Sequence, residues 1–368
     1  MIVPRAFFAL PAKLRQGRNG LTRPLGAFVR SQRRGPDCAG RRCPGWLGVS
    51  AIVLFLAAAK AQAADLLTDF QPSPLTSEYG LVQQVEIKTP YLLAVEPDAL
   101  AFHSPGSMLQ LRFPEAVWII AYETDIYDST GQTPQENFLC HTFLGNQRVD
   151  QQKGHDGHVI SSEMRVVFSD AFTRSMHLPE GFGIRLSSED DALWSPMFNN
   201  RTTEVTRLGM RAVVHFIREA DLKKPLHPIY SILEAVQTPH LFFVPPGRHQ
   251  KDATFTLNFN GKIHFMGAHI HPYSESIEVL NVSRSELVWK GRSKTDEKGE
   301  TAGMEVYSSS EGYAVHAGET YMVRSTYDNP KQDHIDAMAG VFIFYSRDDS
   351  PAGGGQSGAS HAHPGHAP

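Results

Sequence analysis

The chain has 368 residues, 41% of them hydrophobic and 20% charged, which is enough apolar material for folded cores and too little charge for a disordered polymer. At this length two domains are the default expectation. The 35 basic and 39 acidic residues give a formal net charge of −4, but the basic residues crowd into the first part of the chain, and the acidic remainder argues against a phosphate-binding surface for nucleic acid.

Residues 1–64 read as a leader. Arginines recur up to Arg42 with a single acid, Asp37, and the run GWLGVSAIVLFLAAAKAQA then ends in Ala61-Gln62-Ala63. A basic region, a short apolar region and an A-x-A site in that order predict a secretory signal cleaved near Ala63. The chain is therefore expected to be exported, periplasmic or extracellular, with no integral membrane segment after cleavage. Residues 1–63 hold 11 of the Lys and Arg residues and one acid, so the mature chain carries 24 basic against 38 acidic residues, net −14. Cys38 and Cys43 leave with the leader, and only Cys140 remains. With no internal disulfide available, that thiol is either a small buried hydrophobe or a metal ligand.

Residues 65–222 form the first predicted domain. SMLQLRF, AVWIIAYETDIY, MRVVFSD, GFGIRL and TRLGMRAVVHFIRE are short strand-like runs divided by turns, the pattern of an antiparallel sandwich or barrel. Residues 223–247 are rich in proline and read as a connection. Residues 248–348 form a second β-domain, in which TFTLNF and KIHFMGAHIH flank Asn260-Gly261, a dipeptide suited to a type I′ hairpin turn. SIEVLNV, ELVWKGRSKT, GMEVYSS, TYMVRSTYDN and AGVFIFY complete its strands. Residues 349–368 read as a disordered tail whose His361, His363 and His366 could capture metal only loosely. The expected fold is mostly β, with two tandem antiparallel β-sandwich domains.

His269 and His271 stand one residue apart in a run that alternates like a strand, so their side chains share a face, and the same alternation places Ile263 and Phe265 with them. Two imidazoles that close can grip one metal ion, although an isolated H-x-H is a weak signal. Met338, just before the last apolar strand, adds a soft thioether, and two neutral imidazoles with a thioether suit copper better than calcium or magnesium.

The H-x-H strand, the segment GYAVHAGETYMVRSTYDN and the late methionine resemble the C-terminal domain of the type II, ascorbate-dependent copper monooxygenases, the family of peptidylglycine α-hydroxylating monooxygenase and dopamine β-monooxygenase. FLCHTFLG and WSPMFNN are similar to segments of that family's N-terminal domain, so the resemblance covers about residues 90–347. It implies two jelly-roll-like β-domains facing each other across a solvent-filled cleft, each holding one copper. His269, His271 and Met338 would then bind the copper that activates dioxygen to hydroxylate an organic substrate, a small molecule or a peptide. The electron-storing site departs from the family pattern. Cys140-His141 stand where the family has paired histidines, and Met197 stands at its third histidine, so only His141 carries over. Either that site is lost and Cys140 and Met197 pack in the core, or Cys140, His141 and Met197 form a softer second copper site. His155 and His158 are a further candidate pair. If the second copper is lost, ascorbate or another reductant must supply the second electron by another route.

Two other readings compete. HIHPYSE fits the opening of a cupin motif, with Glu275 as a third ligand, although the expected later histidine is missing. A non-catalytic copper-binding, storage or delivery protein needs only the His269, His271 and Met338 site and a copper donor or acceptor partner. No G-x-S-x-G, phosphate-binding Gly-Lys loop or H-E-x-x-H occurs. Asn200-Arg201-Thr202 and Asn281-Val282-Ser283 are formal glycosylation sequons.

Overall fold

A computed structural model of the chain describes residues 65–97, 108–135, 138–146, 151–153, 159–161, 164–237, 241–296 and 301–349. The leader, His155 and His158, and the tail from Ser350 onward lie outside the described residues. Residues 1–60 and 61–368 divide as two units, and the architecture below belongs to the second.

Every regular element among the described residues is a strand, and no helix there is long and apolar enough to cross a membrane. Eight principal strands come first: β1 Gly80–Lys88, β2 Leu109–Arg112, β3 Val117–Tyr127, β4 Leu139–Asn146, β5 Arg165–Asp170, β6 Phe182–Leu186, β7 Ala192–Phe198 and β8 Thr206–Leu222. Eight more follow: β9 Tyr230–Ala235, β10 Gly247–Leu257, β11 Gly261–Ile270, β12 Ser274–Asn281, β13 Glu286–Thr295, β14 Tyr307–Val315, β15 Glu319–Asn329 and β16 Ala339–Arg347. The first set pairs as β2-β7-β4-β5 and β6-β3-β8-β1, and the second as β10-β15-β12-β13 and β14-β11-β16-β9. The two orders are the same once eight is added to each number. Each set is a jelly roll of two facing antiparallel sheets, and the chain carries the same topology twice.

A shared local clamp marks the duplication. Asn200 donates its side-chain amide to the carbonyls of Val95 and Glu204, while its Oδ1 accepts the Thr202 N–H. Asn329 does the same with Val244, Asp333 and the Lys331 N–H. The sequence bears a trace of this repeat in TPYLLAVEP (89–97) and TPHLFFVPP (238–246). Asn200 and Asn281 are both fully buried, with their amides bonded inside the fold, so neither formal sequon presents a side chain for glycosylation.

The proline-rich stretch 223–247 is more than a connection. It contains β9, which is the edge partner of β16, and the strand Phe242–Val244, which pairs with Ile335–Ala337. Its described prolines, Pro225, Pro228, Pro245 and Pro246, fall beside these elements or in the two-residue strand His227–Pro228, positions where a missing N–H is tolerated.

The two jelly rolls pack sheet against sheet. The sheet containing β11 and β16 has apolar residues on both faces. Ile263, Met266, Ala268, Ile270, Val341, Ile343 and Tyr345 belong to the second core. Phe265, Phe342 and Phe344 join the first core instead. There Phe342 stacks on Phe168 of β5 with centroids 3.9 Å apart, and it also meets Phe143 of β4 at 5.5 Å. Much of the boundary between the halves is therefore dry packing rather than open solvent.

This arrangement corrects one expectation. Ile263 and His269 lie on opposite faces of β11. Ile263 pairs with Tyr345 and Phe265 with Phe344, which leaves His264 as an extra bulged residue and reverses the alternation beyond it.

Candidate metal centre

Beyond the bulge, Phe265, Gly267 and His269 face the first jelly roll, and Gly267 has no side chain because Phe168 fills the space. A Cβ there would lie 2.6 Å from Phe168 Cζ. This close approach brings His269 to the end of β4, where a second bulge has a direct chemical consequence. Met197 pairs with His141 and Phe198 with Leu139, so Cys140 is the extra residue on β4. In a regular strand Cys140 and His141 would point to opposite faces; the bulge lets them converge, with Sγ 3.3 Å from His141 Nδ1.

Cys140, His141 and His269 each offer a donor atom within 4.8 Å of the others. The His141 and His269 rings meet edge to face at 4.7 Å, and His269 and His271 do so at 5.7 Å. The sequence assigned these residues to two separate sites; the fold brings Cys140, His141 and His269 into one cluster, with His271 at its edge.

Both residues of the histidine pair are held from behind. His269 Nδ1 lies 3.3 Å from Asp170 Oδ2, and His271 Nδ1 lies 2.8 Å from Asp336 Oδ2. Asp170 is fully buried, and its other oxygen accepts the Phe172 and Thr173 N–H groups. Asp336 is half exposed and stands 3.8 Å from Arg201. The Nε2 atoms of His269 and His271 are buried with no hydrogen-bond partner. An imidazole tied to a carboxylate through one nitrogen with the other left free in the interior is the arrangement of a metal-binding histidine.

The charge states fit that arrangement. Burial pushes the Cys140 thiol up, but the imidazoles of His141, His269 and His271 pull it well below the usual thiol range. Burial pushes His269 down, yet Asp170 and Cys140 outweigh it and raise the ring to about 10. Burial holds His141 below its ordinary value against the opposing pull of Cys140. The bond from His271 is the main reason Asp336 sits below the usual carboxylate range. The raised His269 and the Arg201 beside Asp336 already balance part of the negative charge of Cys140 and the two acids, and a metal bound at His269 Nε2 would take the place of that ring's second proton.

Both methionines singled out in the sequence are buried. Met197 is the direct cross-strand neighbour of His141. Met338 just precedes β16, whose Ala339 pairs with Ile270 and Gly340 with His269; continuing that register sets Met338 opposite His271. Its carbonyl accepts the Tyr327 hydroxyl, whose oxygen in turn accepts the His271 N–H. Glu275 is exposed and bonded to Arg248, so the third ligand of a cupin motif is absent from the cluster. Asp170 and Asp336, by contrast, had no signal in the sequence: they lie 99 and 65 residues from the histidines they orient.

A cleft of about 680 Å³ opens beside the cluster, lined by Cys140, His269 and His271 together with Asn199, Arg201 and Thr202. The chain turns out of β11 at its edge through Pro272 and Tyr273. Tyr273 is held at φ 69°, an uncommon conformation for a bulky residue and one often concentrated at functional sites.

No protein-family model matches the sequence, and no curated protein does. Among solved structures, the chain is similar to N-glycanase F (PNGase F), with 10% identity over 72% of this chain and 96% of that one and a TM-score of 0.35. It is also similar to the cowpea mosaic virus top component, naturally occurring empty particles, with 10% identity over 80% and 94% of the two chains and a TM-score of 0.34. For the STIV MCP the identity is 8% over 72% and 97%, with a TM-score of 0.32. Likenesses this remote carry nothing about the chemistry of the cluster.

Proposed function

We propose that the chain is an exported copper-binding β-protein in which Cys140, His269 and His271, with His141 beside them, hold one copper ion at the junction of the two jelly rolls. The observation that carries this reading is the pair of buried, unpartnered Nε2 atoms next to a thiolate, each ring backed by a carboxylate. Thiolate and imidazole donors suit copper or zinc and not the hard cations, and the thioethers of Met197 and Met338 on neighbouring positions favour copper. The leader-like residues 1–64 support export.

Copper, when bound, supplies one-electron redox chemistry. The adjacent cleft supports an oxidoreductase form of this reading, in which a small molecule or peptide binds beside the metal and ascorbate or another reductant supplies electrons. Binding, storage or delivery without turnover uses the same residues with a copper donor or acceptor protein as partner. The cluster favours this second form, because Cys140 and His141 join the site of His269 instead of standing apart from it as a separate electron-storing site.

One observation supports a different chemistry. Cys140, His269 and Asp170 follow the order nucleophile, base and orienting carboxylate, and Cys140 lines the cleft. A single experiment separates the two readings: titration of the reduced protein with Cu(I) against a competing chelator, with Cys140 alkylation followed in parallel. Copper binding predicts one tight equivalent that protects Cys140, is lost in Cys140→Ser and is weakened in Met338→Ile. Rapid alkylation with no copper uptake would overturn it in favour of the nucleophile.

A further inference from the structure

The outer face of the β6-β3-β8-β1 sheet carries a second group of metal-type donors, remote in sequence from the cluster above. The short strand Ser175–His177 pairs with β3 so that His177 lies opposite Ala121, and β8 pairs from the other side so that His215 also lies opposite Ala121. Residues directly opposite in an antiparallel pair share a face, so two imidazoles flank a single methyl group. Glu123, two residues along β3, shares that face. Its Oε1 lies 3.3 Å from His177 Nε2 and 3.7 Å from His215 Nε2.

These distances are informative because His215 is buried. Its Nδ1 meets Ser73 Oγ at 2.8 Å, which fixes the ring, and its Nε2 has no hydrogen-bond partner. Glu123 Oε1, at 3.7 Å, is too far for a hydrogen bond. Two donors each about 2.1 Å from one tetrahedral ion stand about 3.4 Å apart, close to the two separations measured from Glu123; the two imidazoles are not gathered as closely on each other as the donors of the Cys140 cluster are, so His177 has to swing inward to complete the site. The neighbouring groups suit such a role. Ser73 can accept a proton from His215 Nδ1, as the partner behind a metal-bound histidine does. His177 and Glu123 are about half exposed, so both can adjust, His177 by giving up the 2.8 Å contact of its Nε2 with Ser175 Oγ, and the site is open to solvent. An ordinary ion pair accounts for His177 and Glu123, but at 3.7 Å it leaves the buried His215 nitrogen without a hydrogen bond.

We propose that His177, His215 and Glu123 form a second divalent-metal site of the two-histidine, one-carboxylate type, suited to Zn(II) and open to water or a further ligand. It contains no sulfur, so it differs chemically from the Cys140 cluster and does not depend on the copper reading. Cobalt(II) tells the two apart: a thiolate site gives an intense sulfur-to-metal charge-transfer band, and a nitrogen–oxygen site gives only weak visible bands. With full-length protein stripped of metal, Co(II) titration of the Cys140→Ser variant is expected to retain one equivalent without charge transfer, displaced by Zn(II). His177→Ala and Glu123→Gln, both at half-exposed positions that should not disturb folding, are each expected to weaken that equivalent by about tenfold or more while leaving any charge-transfer band of the Cys140 cluster intact. No such equivalent in Cys140→Ser, or one that survives both substitutions unchanged, would overturn the proposal.

Discussion

Asp170 is the residue on which the chemistry of the cluster turns. It is wholly buried, spends one oxygen on two backbone N–H groups and keeps the other on His269 Nδ1. That contact ties up Nδ1, so Nε2 is the nitrogen that a metal would take in exchange for its proton. Asp170→Asn keeps the size but would present an amide where an acceptor is needed, favouring the tautomer with its proton on Nε2. The expected result is a roughly 10- to 100-fold loss of copper affinity with the fold retained, read by chelator competition alongside circular dichroism. The histidine pair and the Cys-His pair were visible in the sequence as residue types with metal-binding chemistry. Their convergence was not, because it depends on Cys140 occupying a bulge, and nothing in LCHTF distinguishes a bulged residue from a regular one. The orienting acids were equally hidden, since a carboxylate many residues away from its histidine leaves no spacing to read.

At the scale of elements, the short strand-like runs were legible from alternation, but the expected Asn260-Gly261 hairpin is not formed: the dipeptide links β10 to β11, which belong to different sheets, and neither residue has the positive φ of a type I′ turn. Faces were harder to assign. The bulge at His264 shifts the period by one, so a uniform reading of β11 groups Ile263 with His269 when the two serve different cores. Gly267 shows how tightly that strand is constrained. Gly267→Ala would drive a methyl group into Phe168 and is expected to destabilise the protein by about 1–3 kcal/mol in urea unfolding. On β15, Glu319 accepts bonds from Arg284, the His316 N–H and the Tyr321 hydroxyl. Burial opposes ionisation there, but these partners prevail and hold the carboxyl at about 2, below its ordinary 4.5. A depressed carboxylate contributes stability above its unfolded value and loses it as the pH falls through the folded one. Glu319→Gln should therefore be less stable at neutral pH and lose less stability between pH 4.5 and 2, as measured by denaturant titrations across that range.

For the whole molecule, two jelly rolls of one topology meet through a dry face centred on Phe168 and Phe342, with the metal-type cluster at the same junction. Phe168→Ala removes a fully buried ring from this contact and should cost about 3–5 kcal/mol, seen as a lowered unfolding midpoint. The mostly-β, two-domain character was readable from composition and period, whereas the duplication left only the weak echo of TPYLLAVEP in TPHLFFVPP, because sheet order is set by pairings between distant segments. The central claim is that donors from both jelly rolls meet on one ion, and X-ray absorption on the reduced, copper-loaded protein tests it most directly. The account predicts one copper per chain with mixed sulfur and nitrogen scattering, the short sulfur distance of a thiolate disappearing in Cys140→Ser and the histidine scattering falling in His269→Ala. Two coppers in separate environments, or one copper whose scattering is unchanged by Cys140→Ser, would contradict it.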